Sequence, residues 1–329
     1  MRLPRRPAGT GTARRRGLAV AACAVLVAAL LVFHAAVPNT PGHLGSLLET
    51  FLPWLGLAVP VLFGLALWRR PAISLPAVLL ALLAWLGLFG GQLLPGREEP
   101  YDLTAVQHNV SDENADPAGT VRELLKVRPD LVALEELTPA ALPAYAAAFP
   151  PEYPHHTVQG TVGLWSRYPL ADVTPVDIRP RAFGADWNRG LRATARTPRG
   201  DVAVYVAHLP SVRLGLAGFG CGPRDESAAL LGARIAAEPP GPVILLGDLN
   251  NTVHDRGLEP IGSLMNTADA EFAFSWPARL PVARIDQIMA RSSTVTELWS
   301  LPPTGSDHLP IAARVRIGVS GPGPGSTGA

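Results

Sequence analysis

Apolar positions divide the chain into two stretches with different periods. Residues 18–37 form a run of twenty without a charge at neutral pH, and residues 51–68 and 72–94 repeat it, parted only by Arg69, Arg70 and Pro71. Twenty helical residues at about 1.5 Å each cross a hydrocarbon layer of about 30 Å. Three membrane-spanning helices are therefore expected, the last two antiparallel around a tight turn. Beyond residue 100 the pattern shortens. Runs at 103–109, 131–134, 162–166, 191–195, 202–208, 243–247, 284–290 and 311–317 predict strands, and the stretches 117–127, 140–148 and 225–237 predict helices. The alternation of the two predicts a soluble α/β domain. The last twelve residues are Gly, Pro, Ser and Thr with two small apolar side chains, too few to offset the entropy of ordering. The expected organisation is an Arg-rich cytoplasmic segment (1–17), a three-helix membrane region (18–94), a linker (95–100), the α/β domain (101–317) and a disordered tail (318–329).

Composition supports the division. With 48% hydrophobic and 17% charged residues and a mean hydropathy of +0.20, the chain is too apolar for two soluble domains. A near balance of 28 Lys+Arg against 27 Asp+Glu conceals segregation, since residues 101–329 carry 19 basic and 24 acidic side chains, net −5. Such a domain lacks the basic footprint that a phosphate backbone requires, which disfavours nucleic acid as a partner. Six arginines precede the first run, none lies in 38–50, and Arg69 and Arg70 mark the next turn. Positive charge stays on the cytoplasmic side, so three crossings put everything after Leu94 outside. A cleaved signal peptide ending near Ala36 is the competing reading, and two further apolar runs argue against it. His34, His43 and Glu49, near helix ends, are assigned to headgroups and water. Cys23 and Cys221 are expected to be free thiols.

Candidate chemistry gathers where apolar runs end. Asn109 follows LTAVQH, Glu135 and Glu136 follow LVAL, His208 follows VAVYVA, Asp248 and Asn250 follow VILLG, and Asp307 and His308 precede LPIAARV. In an α/β sheet such ends open onto one crevice, so these groups are expected to converge. Singly, each also reads as a turn former or a satisfied structural group.

The segments QHN (107–109), PDLVALEEL (129–137), GLWSRYPL (163–170), VYVAHLPS (204–211), VILLGDLNNT (243–252), RIDQIMA (284–290) and SDHLPI (306–311), in this order, resemble the endonuclease/exonuclease/phosphatase (DNase I-like) superfamily. The resemblance implies a four-layer α/β/β/α sandwich, here preceded by three transmembrane helices, and metal-dependent hydrolysis of phosphate ester bonds. It implies Glu136 as principal metal ligand, with Asn109 and Asp307 completing an oxygen-rich site for Mg²⁺ or Mn²⁺. By the same resemblance Asp248 orients or deprotonates the attacking water, Asn250 fixes its position, His308 faces the scissile phosphate with Asp286 as its carboxylate partner, and His208 is the acid for the leaving oxygen. Glu135 stands where the family commonly has Gln, adding a negative charge beside Glu136. Arg189 and Arg192 are weaker candidates for a substrate phosphate. His155 and His156 are assigned to a surface loop, and Trp165, Trp187 and Trp299 to packing or the rim. A polar set without a broken position argues against a non-catalytic binding module on the same fold.

The order of three spans followed by such a domain resembles the VanJ-type membrane proteins of actinobacteria, a group associated with resistance to teicoplanin-type glycopeptides. That likeness implies a multi-pass cell-membrane protein with an extracytoplasmic catalytic domain and a phosphorylated, lipid-linked or small-molecule substrate. An extracellular nuclease or phosphodiesterase is the alternative.

Overall fold

A computed structural model describes residues 10–40, 42–69, 71–94, 99–268 and 271–318. Most of the arginine-rich start, Arg70 of the expected turn, four residues of the expected linker and all but the first residue of the expected tail lie outside the described residues. The chain divides into two compact units, Met1–Leu94 and Pro95–Ala329.

The first unit is helical: α1 (Thr10–Val32), α2 (Leu44–Thr50), α3 (Ala58–Arg69) and α4 (Pro71–Phe89), with a 3-10 stretch, Leu52–Leu57, leading into α3. Small side chains at the contacts, Ala24 and Ala28 on α1, Ala66 on α3 and Ala81 on α4, are buried and let the backbones approach. Leu26, Phe63, Leu80 and Leu83 are exposed, so the outer faces are apolar too, as lipid-facing helices require. Two helices, Arg14–Val32 and Ala72–Leu93, are long and apolar enough to cross a membrane. The expected middle span differs. Leu44–Thr50 and Leu52–Trp68 form a pair bent by 71°, which makes a third span only if the pair crosses as one. Pro53 starts the 3-10 stretch, its carbonyl accepts a 2.7 Å hydrogen bond from Trp85 Nε1, and the indole packs where a Cβ on Gly56 would sit. Proline without an N–H, together with a ring pressed on bare backbone, breaks the regular helix here. Glu49, expected among headgroups, is buried and bonds His34 Nδ1 at 3.1 Å.

The second unit contains β1 (Leu103–Asn109), α5 (Pro117–Leu124), β2 (Leu131–Glu135), α6 (Leu142–Ala148), β3 (His155–Gln159), β4 (Val162–Ser166), β5 (Leu170–Pro175), β6 (Gly190–Thr197), β7 (Gly200–Ala207), a short hairpin of β8 (Leu214–Gly215) and β9 (Gly218–Phe219), α7 (Gly222–Ala237), β10 (Val243–Asp248), α8 (Glu259–Gly262), β11 (Asp286–Arg291), β12 (Ser293–Ser300) and β13 (Ile311–Ile317). Two mixed sheets result, ordered β12-β13-β1-β2-β4-β3 and β11-β10-β7-β6-β5. Between them lie Leu103, Ala105, Leu131, Ala133, Val204, Val206, Ile244, Leu246, Ile288 and Ala313, all at alternate positions of their strands. The opposite positions pack outward, Val106, Val132 and Leu134 on α5 and α6, and Tyr205, Leu245 and Met289 on α7 and α8. Period-two burial on both faces of both sheets gives four layers, α/β/β/α.

Candidate active site

The inter-sheet face turns polar at one end. Continuing the alternate positions leads from Leu103 and Ala105 to Gln107 and Asn109, from Leu131 and Ala133 to Glu135, from Val204 and Val206 to His208, and from Ile244 and Leu246 to Asp248. Asp286 opens β11 opposite Asp248 in the antiparallel register. A core that is apolar for most of its length thus ends in buried carboxylates, amides and imidazoles, gathered by strand parity.

Two further groups reach the cluster through unusual backbone. Glu136 follows β2 with φ 60° and Asn250 follows β10 with φ 48°, the left-handed region that costs a non-glycine residue on the order of 1 kcal/mol. The turn at Glu136 aims its partly exposed side chain toward His208, with Oε1 3.9 Å from His208 Nε2. Asn250 donates its backbone N–H to Asp248 Oδ1 at 2.9 Å and its amide to the carbonyl of Leu209 at 2.9 Å, which fixes both residues.

Asp248 is the centre of the set. Its Oδ2 accepts a 3.1 Å hydrogen bond from Asn109 Nδ2 and lies 3.6 Å from His208 Nε2 and 3.8 Å from His308 Nε2. His308 donates from Nδ1 to Asp286 Oδ2 at 2.8 Å, while Gln107 Nε2 bridges Asp286 Oδ1 and Glu135 Oε2 at 2.9 and 2.8 Å. Arg189 Nη1 rests 3.2 Å from His208 Nδ1, and its guanidinium lies over Trp187 at 5.4 Å.

Burial and charge sort these groups by protonation. Burial, opposed by the His308 charge, pushes Asp248 up to about 7. Burial alone would lower His308, but Asp286 and Asp248 outweigh it and push it up to about 10. Burial would raise Asp286, yet the His308 imidazolium and the hydrogen bonds from His308, Ser275 and Gln107 hold it below the usual carboxylate range. Burial, with Arg189 and His308, keeps His208 neutral. Burial beside Asp286 and Asp248 raises Glu135 well above the carboxylate range, so it stands as a neutral acid. The sequence reading placed a negative charge there; in the fold the site of commonplace Gln holds an uncharged isostere. Neutral His208 carries one ring proton, whereas His308 is the imidazole that carries two.

Of the residues expected to act, the structure brings together Asn109, Glu136, His208, Asp248, Asn250, Asp286, His308 and Arg189. Asp307 is exposed beside Ser306, whose Oγ bonds the Asn109 carbonyl at 2.7 Å. Arg192 does not join. Its neighbours Leu191 and Ala193 face the inter-sheet core, so Arg192 points to the other face and pairs with Glu238 through Nε at 3.3 Å. Gln107 and Ser275 have no role in the sequence reading; alternation in β1 marks Gln107 as a companion of Asn109, whereas nothing in the sequence marks Ser275. His156 lies on β3 and stacks on Trp165 rather than in a loop.

Glu136, Asp248, Asp286, Asp307 and the Asn109 amide offer oxygen donors, with Arg189 and His308 as the cations among the gathered groups. This excess of hard oxygen suits a divalent cation. Asp248, Asp286 and His308 alone place one ligand atom each within 4.8 Å of one another.

Among curated proteins none matches this sequence. Solved structures do. A humanized D. rerio TDP2 aligns over 65% of this chain and 98% of its own at 18% identity, TM-score 0.53. An endonuclease/exonuclease/phosphatase from Beutenbergia cavernae aligns over 67% and 72% at 19% identity, TM-score 0.52. A beta toxin mutant from Staphylococcus aureus with bound magnesium ions aligns over 65% and 99% at 17% identity, TM-score 0.50. These likenesses are of fold. Residues 106–308 match the Endonuclease/Exonuclease/phosphatase family, a range that takes in every member of the cluster and the strands from β2 to β12, and the chain belongs to that family of metal-dependent hydrolases of phosphate ester bonds.

Proposed function

We propose that the chain is a membrane-anchored, outward-facing phosphohydrolase that uses Mg²⁺ to cleave a phosphate ester or pyrophosphate of a lipid-linked or cell-envelope substrate. The observation that carries this reading is one carboxylate poised near neutrality, Asp248, 3.8 Å from an imidazole held protonated, His308. Groups set apart in this way suit a base and a charge-stabilising donor at one pH.

Asp248 takes the proton of a water placed on the phosphate, and Asn250 keeps its carboxylate in register. His308 presents its Nε2 proton to the phosphate oxygens while Asp286 holds Nδ1. Arg189 supplies a second positive charge beside neutral His208, whose imidazole can hydrogen-bond the leaving oxygen. Glu136, Asn109 and Asp307 would hold the ion. When bound, Mg²⁺ neutralises charge on the phosphate and orients it.

The lipid-linked substrate rests on two features of the chain. Apolar helices confine the domain to a bilayer, which raises the local concentration only of substrates confined there too. The domain's net charge of −5 discourages polynucleotides. The whole-chain likeness to VanJ-type proteins adds a phenotype, altered tolerance of teicoplanin-type antibiotics on overproduction. The test is the full-length protein in detergent, offered a lipid pyrophosphate, a phospholipid and duplex DNA with Mg²⁺ or with EDTA. Release of phosphate from a lipid substrate, abolished by EDTA, is expected. Vigorous cleavage of DNA with every lipid phosphate untouched would replace this reading with an extracellular nuclease.

A further inference from the structure

A cavity of about 680 Å³ lies in the second unit, and Arg189 belongs to its wall as well as to the catalytic cluster. Phe183, Trp187, Pro210 and Pro223 make the wall largely apolar, and the rings of Phe183 and Trp187 pack at 5.5 Å. Pro210 follows His208 by two residues, so the cavity opens where the strand that carries His208 ends.

Charge distinguishes this cavity. It is lined by two arginines, Arg189 and Arg213, and by no acidic side chain, in a domain whose acids outnumber its bases by five. Arg189 is half-buried, with Glu136 and Asp248 near enough to act on its charge. Arg213 is exposed, and its guanidinium makes no ion pair or hydrogen bond among the described residues. Arg192 is engaged by Glu238, Arg314 by Glu297 and Arg224 by Asp225 and Asp255; Arg213 differs from other exposed arginines without an ion pair among the described residues, such as Arg122, in bordering this cavity. A guanidinium left unpaired at the rim of an apolar cavity whose wall includes Arg189 of the catalytic cluster is suited to a second anion.

We propose that this cavity is a second anion subsite, which holds the non-scissile phosphate of an apolar diphosphate against Arg213 while its hydrocarbon part lies on Phe183, Trp187 and Pro210. The proposal rests on the phosphohydrolase reading and names its substrate class. Apolar lining and unpaired cation select jointly: a single phosphate leaves Arg213 idle, and a diphosphate without a hydrocarbon leaves the aromatic wall wet.

The experiment titrates full-length protein in detergent and EDTA, where hydrolysis is off, with geranyl diphosphate, geranyl monophosphate and inorganic pyrophosphate, read by calorimetry. Geranyl diphosphate should bind about tenfold tighter than either of the others, the value of one added charge-assisted hydrogen bond. Arg213→Gln should reduce the diphosphate-to-monophosphate affinity ratio about tenfold, while Arg122→Gln, at an exposed position of α5, keeps the ratio. Equal binding of mono- and diphosphate by the wild type, or a ratio unmoved by Arg213→Gln, overturns the subsite. Inorganic pyrophosphate binding as tightly as geranyl diphosphate overturns the hydrocarbon's part and gives the subsite to soluble diphosphates. A parallel assay with Mg²⁺ separates the two readings. Turnover without the binding preference sinks the subsite alone, and the preference without turnover of any of the three sinks hydrolysis and leaves the cavity standing.

Discussion

Asp248 and His308 are both buried, 3.8 Å apart, and both are pushed up, Asp248 to about 7 and His308 to about 10. If Asp248 acts ionised and His308 protonated, turnover rises with pH through about 7 and falls through about 10. His308→Gln should remove the alkaline limb and cut turnover by orders of magnitude, and Asp248→Asn should remove the acid limb with a similar loss. A pH-rate profile of each variant decides, and two limbs kept by His308→Gln would place the proton elsewhere. The same shifts act on stability. With His308 raised in the fold, its pair with Asp286 contributes fully below about 6.5 and is lost as pH climbs through about 10. Asp286, lowered, contributes above its unfolded value and is lost as pH falls toward its folded one. Melting temperature should therefore drop on both sides, and His308→Gln should abolish the alkaline drop. Glu136→Ala removes a carboxylate that is partly exposed, so activity should fall by orders of magnitude and the Mg²⁺ requirement should rise, with the melting temperature nearly unchanged. Full activity at low Mg²⁺ would deny it a ligand's role.

Strand packing sets how precisely those side chains meet. Gly247, one residue before Asp248, lies so close to β7 that an added Cβ would collide with the Ala207 carbonyl. Gly247→Ala should force β7 and β10 apart, cost about 1–3 kcal/mol and reduce turnover further than that loss of stability explains, because Asp248 moves with its strand. Differential scanning fluorimetry beside an assay at low temperature tests this, and unaltered turnover would show that the approach is slack. Arg192→Gln is the converse, since breaking its pair with Glu238 unpins β6 from the end of α7 and should lower melting temperature without touching chemistry. Strand parity made much of this legible in the sequence. β1, β4 and β13 have the expected bounds, and the polar side chains at the ends of LTAVQHN, VYVAH and VILLGD fall on the face of the inter-sheet core. Parity also excludes Arg192, a step that the reading of its residue type alone left out. What the sequence did not disclose lies at edges: β3, β5 and β12 each border a sheet, and edge strands are half solvated, so their alternation is weak. β12 carries in addition a bulge between Val295 and Glu297. The bridge from Gln107 and the hydrogen bond that the Asp286 N–H donates to Ser275 Oγ depend on contacts between distant segments that no local pattern records.

For the whole molecule, the parity of membrane crossings decides on which side the chemistry happens. Arg14–Val32 and Ala72–Leu93 are two spans by length and composition, and an even count would return the catalytic unit to the side of the amino terminus. Charge favours counting the bent pair as a third span. Six arginines precede the apolar run 18–37, Arg69 and Arg70 follow the run 51–68, and residues 38–50 carry none. Both clusters would lie on the cytoplasmic side if the chain crosses between them twice, first by α1 and then by the bent pair of Leu44–Thr50 and Leu52–Trp68. Seventeen residues, six of them extended at the 3-10 rise of about 2 Å, reach close to 30 Å, so the break at Pro53 lengthens a helix otherwise too short for the layer. On that proposed topology α4 makes the third crossing and the catalytic unit lies outside. Alkaline phosphatase fused after Thr40 or after Ala329 should be active and a cytoplasm-dependent fluorescent protein at the same points dark, with the opposite result after Pro71. Replacing Arg69 and Arg70 together by Gln should weaken the bias and yield a mixed population at the carboxy terminus. A bright fluorescent fusion after Ala329 in the wild type would make the bent pair re-entrant, put the hydrolase in the cytoplasm, and move its substrate to the inner leaflet.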